Sequence, residues 1–166
     1  MPSPSDLAPS SDLALSPYDK LAQLGLELPQ VPTPIGNFTT HVREGALLYL
    51  SGQGPTHEDG RIHTGKVGAD VSVEEAYAHA RLTGLNLIAV LHTALGDLRK
   101  VRRIVKVLGM VNATPDFADH PAVINGCSDL FVAVFGDAGR HARSAVGFGS
   151  LPRRITVEIE AVVAVS

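Results

Sequence analysis

The chain has 166 residues, 45% of them hydrophobic, and a formal net charge of −3, which suits one buried core and leaves too little length to favour two domains. A sequence pI near 6.1 excludes a global basic field for nucleic acid, and one cysteine, Cys127, excludes an intramolecular disulfide and fits a reducing compartment. With no basic-then-apolar leader and no run near ~18 apolar residues, the expectation is a cytoplasmic protein with no membrane partner.

Residues 1–15 are rich in Pro, Ser, Asp and Ala and read as a flexible N-terminal arm, with a single domain over 16–166. Ser16-Pro17 is an N-cap followed by an N1 proline, which predicts a short helix to about Leu26. The prolines of Leu28–Pro34 then impose an extended connector. Strands follow at about Phe38–Arg43 and Ala46–Ser51, turning at Glu44-Gly45, after which Ser51-Gly52-Gln53-Gly54-Pro55 leaves the sheet. Ser72-Val-Glu-Glu75 is a capping box, and Val73, Ala76, Ala80, Gly84, Leu87, Leu91 and Leu95 keep helical spacing up to a terminating Gly96. A strand over Val101–Val111 and a helix over about His120–Phe135 come next, with Cys127 on the helix's apolar face as buried filler.

From Ile155 to Val165 the apolar residues alternate strictly, which predicts a strand carrying Glu158 and Glu160 on its other face. Arg143 to Ser150 is a second extended run, and the turn Leu151–Arg154 between them predicts a C-terminal hairpin. Such a hairpin brings Arg143 near Glu158. A cation beside a carboxylate suits an anionic ligand attacked by water, and it equally describes a structural ion pair at a strand edge. The order ββαβαββ implies an α+β fold, one mixed sheet layer packed on two helices. Its other face, carrying Phe148, Val162 and Ala164, is left apolar and uncovered, which calls for a symmetric oligomer.

Gly36-Asn-Phe38, Ser51-Gly-Gln53, Asn125 and Ala142-Arg-Ser144 with Leu151-Pro152 and Val157-Glu-Ile-Glu-Ala161, in this order, resemble the RidA (YjgF/YER057c/UK114) family of reactive-imine deaminases over about Val31–Val165. Gly65–Ala76 and the N-terminal extension are similar to a divergent branch labelled endoribonuclease L-PSP. The resemblance implies a homotrimer of chorismate-mutase-like (bacillus-type) subunits with three clefts between neighbours. It also implies a small carboxylate or imino-acid ligand, no cofactor, and hydrolysis of 2-imino acids to 2-oxo acids and ammonia. By the same resemblance Arg143 grips the carboxylate, Glu158 orients or activates the water, and Phe38, Ser51, Gly52 and Asn125 complete the binding site. Two residues depart from the pattern: Phe38 replaces a tyrosine and Ala145 a cysteine, which points to weak activity or a shift toward bulkier side chains.

Other chemistries find little support. The seven histidines show no H-x-x-x-H or H-E-x-x-H spacing, so no metal site is expected. Ser51 and Ser144 lie outside any nucleophile elbow, and the glycines after Ser51 lack a phosphate-loop context. The basic run Arg99, Lys100, Arg102, Arg103 and Lys106 lacks aromatic neighbours for base stacking, which makes nucleic acid an improbable partner. A carboxylate-binding or regulatory trimer without catalysis, and more distantly an endoribonuclease, are the alternatives.

Overall fold

Helix boundaries follow the local signals closely in the computed structural model, which describes residues 14–166. Residues 1–13, and with them nearly all of the expected arm, lie outside the described residues. Ser16 caps α1 (Pro17–Gln23) in a reciprocal box with Asp19, and the helix stops short of Leu26 because the chain turns over at Gly25, φ +67°. Ser72 and Glu75 form the same box at the start of α2 (Val73–Leu95), which ends at Gly96 in the left-handed region, φ 70°. The third helix, α3 (His120–Phe135), has the boundaries read from the sequence.

Five strands form one mixed sheet: β1 (His41–Glu44), β2 (Leu47–Gln53), β3 (Val101–Asn112), β4 (Ala142–Phe148) and β5 (Val157–Val165), in the order β1-β2-β5-β3-β4. The expected C-terminal hairpin does not form. Instead β4 pairs parallel with β3, and β5 lies antiparallel between β2 and β3. The physical reason is the crossover: β3, α3 and β4 make a βαβ unit, whose helix returns the chain parallel to the strand it left. The first hairpin is present, but its opening strand begins at His41 rather than Phe38, and β2 continues through Ser51 and Gly52 to Gln53 rather than leaving the sheet.

Helices α2 and α3 cover one face. Ile104, Val107, Val111, Val157, Ile159, Ala161 and Val163 line that face and are buried. The two helices approach closely at Gly126, where a Cβ would collide with the backbone carbonyl of Tyr77. By length and hydropathy alone His120–Gly139 could span a bilayer, contrary to expectation; Val123, Ile124, Cys127 and Phe131 are fully buried in the core, which accounts for that apolarity. Val146 and Phe148 stand on the opposite face, 39% and 40% exposed.

Candidate functional site

Arg143 sits on β4, the sheet's edge strand, on the face that α3 covers. Its half-buried guanidinium is tethered at one nitrogen only: Nη1 donates to Asn125 Oδ1 at 2.8 Å and to Ser128 Oγ at 3.0 Å. An Nη nitrogen carries two hydrogens, so this one is saturated. Nε and Nη2 have no acceptor among the described residues, which leaves the edge of the fork that matches a carboxylate side-on. Asn125, expected to touch ligand, therefore accepts a bond from the arginine, its amide N–H groups making no bond among the described residues. Behind them His141 Nε2 lies 2.9 Å from Ser128 Oγ, and His141 Nδ1 lies 2.7 Å from the Gly139 carbonyl. Burial first, and the nearby Arg143 charge as well, push the His141 pKa down, while the Gly139 bond opposes them. Ser128 and His141 were not visible as site residues, because a serine and a histidine thirteen residues apart carry no motif.

Glu158 occupies the open face of β5 with a partly buried carboxyl group. Its pKa is raised, by burial and then by the neighbouring Glu160 charge. Glu160 on the same face is exposed. The register of β2 against β5 slips between Leu50 and Gln53, a bulge that places Gly52 directly beneath Glu158. A Cβ on Gly52 would overlap the Glu158 carboxylate. The glycine thus makes room for the acid. Ser51 borders this group, its hydroxyl donating to the Thr39 carbonyl at 2.6 Å and its N–H to the Thr40 carbonyl at 2.9 Å. Phe38 enters along the same segment and is 54% exposed, so it does not plug the core. Its ring lies over Gly36, where a Cβ would be 3.5 Å from it.

The structure thus gathers the expected residues into two groups, Arg143 with Asn125 and Glu158 with Gly52, which Ser51 adjoins, whereas the contact of Phe38 is with Gly36. The expected approach of Arg143 to Glu158 within the chain is not found. Strand β3 separates β4 from β5, and through it Glu158 pairs with Met110 and Met110 with Val146, three residues along β4 from Arg143. The faces differ too. Gly109, paired with Ala145 two residues from Arg143, directs its Cβ position at Ile124 of α3, whereas Glu158 alternates with the helix-facing Val157 and Ile159. No ion pair joins them.

Histidines also converge where spacing gave no sign. His57 and His63 bring their Nε2 atoms within 2.8 Å of each other, His63 stacks on His79 at 3.9 Å, and His79 Nδ1 meets Thr156 Oγ1 at 3.0 Å. One proton shared between the two Nε2 atoms explains the shortest contact. Burial holds His79 neutral, its pKa lowered to about 4. No group of three metal-ligating side chains is found among the described residues. Cys127 is fully buried and its thiol is pushed up by burial, so it is no nucleophile. The basic run is largely occupied: Arg99 bonds Asp97, Lys100 caps the Leu95 carbonyl, Arg103 bonds the Arg140 carbonyl and Lys106 reaches Ser144.

Comparison with known proteins agrees with this architecture. The family model described as "YjgF/chorismate mutase-like, putative endoribonuclease" matches residues 18–156. The chain is 42% identical over 144 residues to Protein TCP17 of Trypanosoma cruzi, covering 86% of this chain and 90% of that protein. It is 26% identical over 141 residues to a 2-iminobutanoate/2-iminopropanoate deaminase of Dermatophagoides farinae, covering 84% of this chain and 94% of the other. The crystal structure of Atu1372, a protein of unknown function from Agrobacterium tumefaciens, superposes with a TM-score of 0.85 at 42% identity, covering 90% of this chain and 92% of that one.

Proposed function

The chain belongs to the YjgF/RidA family with its chorismate-mutase-like fold, and on that premise we propose that it is an enamine/imine deaminase, converting small 2-imino acids to 2-oxo acids and ammonia. The observation that carries the reading is Arg143, whose saturated Nη1 leaves Nε and Nη2 presented together. That edge fixes a carboxylate in charge and orientation at once.

Glu158 supplies the second function. A carboxylate whose pKa burial has raised is a stronger base than an ordinary one, which suits it to take a proton from water. It removes a proton from water as the oxygen adds to the carbon of the protonated imine, giving a neutral carbinolamine, and then delivers that proton to the nitrogen. As the C–N bond breaks, the freed carboxylate takes the proton of the new hydroxyl, leaving the carbonyl and releasing ammonia. Arg143 and Glu158 lie on opposite faces of one sheet, so a shared pocket requires two copies of the chain. The reading therefore takes the assembly to be a homotrimer in which Arg143 of one subunit faces Glu158 of the next across the cleft. The exposed apolar side chains Val146 and Phe148 support such a contact.

The relative named as a 2-iminobutanoate/2-iminopropanoate deaminase supports the substrate class. Exposed Phe38, an aromatic without a hydroxyl, favours a second reading, a trimer that binds small carboxylates without turning them over. One assay separates the two. An amino-acid oxidase acting on 2-aminobutanoate generates the imine in situ, and the deaminase reading expects added protein to accelerate 2-oxobutanoate and ammonia release. Binding of 2-oxobutanoate with no acceleration would establish the second reading.

A further inference from the structure

The polar atoms around Arg143 form a hydrogen-bond chain whose direction is fixed from one end. The Gly139 carbonyl can only accept, so His141 Nδ1, 2.7 Å away, carries the proton. In the neutral ring Nε2 is then a lone pair, and Ser128 Oγ at 2.9 Å must donate to it. That spends the hydroxyl's only hydrogen. The serine oxygen is left as an acceptor, and Arg143 Nη1 donates to it at 3.0 Å. Every member has one role available, and the chain ends on the guanidinium.

We propose that Ser128 and His141 are positioning residues for Arg143: the sequence Gly139 carbonyl, His141, Ser128 holds Nη1 against α3 and so aims the Nε–Nη2 edge outward. The inference rests on reading Arg143 as the carboxylate clamp. Its geometry explains why two acceptors on α3, Asn125 and Ser128, converge on one nitrogen while the rest of the fork is unused. A long arginine side chain at a sheet edge otherwise samples many rotamers, and fixing it beforehand removes that cost from ligand binding. His141 is held in turn: its ring meets the Phe131 ring edge-on at 6.0 Å and 80°. The helix core thereby sets the angle of the arginine.

The test compares variants that remove the bonds with variants that keep them. Ser128→Ala removes the hydroxyl and Ser128→Thr retains it; His141→Phe keeps a ring against Phe131 without an acceptor, and His141→Gln keeps an acceptor. Two readouts are taken: the order of the Arg143 Nε–H group by nitrogen NMR relaxation, assigned by its loss in Arg143→Lys, and the Kd for 2-oxobutanoate by calorimetry. Expected are an ordered guanidinium in wild type and Ser128→Thr, and a mobile one in Ser128→Ala and His141→Phe. Loss of one hydrogen bond should weaken 2-oxobutanoate about three- to tenfold in the latter pair, with Ser128→Thr and His141→Gln close to wild type. The nitrogen spectrum of His141 should show the Nδ1–H tautomer. An Nε2–H tautomer, or a guanidinium equally ordered in Ser128→Ala and His141→Phe, overturns the proposal. Should Ser128→Ala fail to fold, the ring-conserving His141→Phe decides alone. A wild-type protein that binds no 2-oxobutanoate refutes the clamp reading instead, and the order of the guanidinium still decides whether the chain holds it.

Discussion

Replacing Gly52 with alanine moves Glu158 without removing its carboxyl group, and so separates position from chemistry. Gly52 is not among the positive-φ glycines, so alanine fits the backbone. The added Cβ, however, would overlap the Glu158 carboxylate and come within 3.0 Å of its Cγ and Cδ. The side chain must swing aside, at a cost of about 0.5–1.5 kcal/mol in rotamer strain. Against that, alanine restricts the unfolded chain and stabilises by about 0.4–1 kcal/mol. The two nearly cancel, and Tm should move by no more than about 4 °C for a chain of this size. Activity should not survive so well, since a catalytic group displaced by about 1 Å loses on the order of 100-fold in rate. The assay is ammonia release from 2-iminobutanoate, with carbon NMR titration of the Glu158 carboxyl alongside. Pushed toward solvent, that group should titrate closer to the ordinary carboxylate range than in wild type. A Gly52→Ala protein with unchanged turnover and an unchanged Glu158 titration would show that Gly52 does not set the position of Glu158.

Gly109→Ala should be costly to stability, because its Cβ would lie 2.6 Å from three atoms of Ile124 on α3; overpacking of this kind costs about 1–3 kcal/mol, measurable by urea unfolding. For His79 the folded pKa, about 4, lies below the ordinary 6.5, so the unfolded chain binds more protons between these values. Stability is therefore complete above pH 6.5 and falls as pH drops toward 4, and melting curves of His79→Gln across that window should slope less than those of wild type. Cys127, buried and with its thiol pushed up, should resist alkylation until the chain unfolds; rapid labelling of native protein would contradict that. Light scattering at micromolar concentration should give three subunits, and a monomer would remove the shared cleft.

Much of the fold was legible where a signal is local. Ser72 with Glu75 and Gly96 set both ends of α2, and the strict alternation of β5 identified the buried face before any neighbour was known. Strand pairing was not legible in the same way. Alternation says which face a strand buries and nothing about which strand lies beside it, so adjacency in sequence suggested a β4–β5 hairpin. The strand–helix–strand order from β3 through α3 to β4 carried the contrary signal, since such a crossover demands a parallel pair. For the site, the Arg143–Asn125 contact joins two residues the sequence already singled out. Ser128 and His141 carry no sequence signal, because what unites them is packing between α3 and the sheet edge. The convergence of His57, His63 and His79 likewise depends on a loop folding against α2.

If Arg143 and Glu158 act together across two copies of the chain, two variants that are each inactive should complement one another when mixed. Arg143→Ala and Glu158→Gln trimers should each be folded and inactive when assayed alone. Unfolded together in equal amounts and reassembled at random, they form a population of trimers in which about a quarter of all clefts join an intact Arg143 from one subunit to an intact Glu158 from its neighbour. Recovery of about a quarter of wild-type imine hydrolysis is expected. Mixed trimers as inactive as their parents, beside an active wild-type control treated identically, would contradict a site shared between subunits.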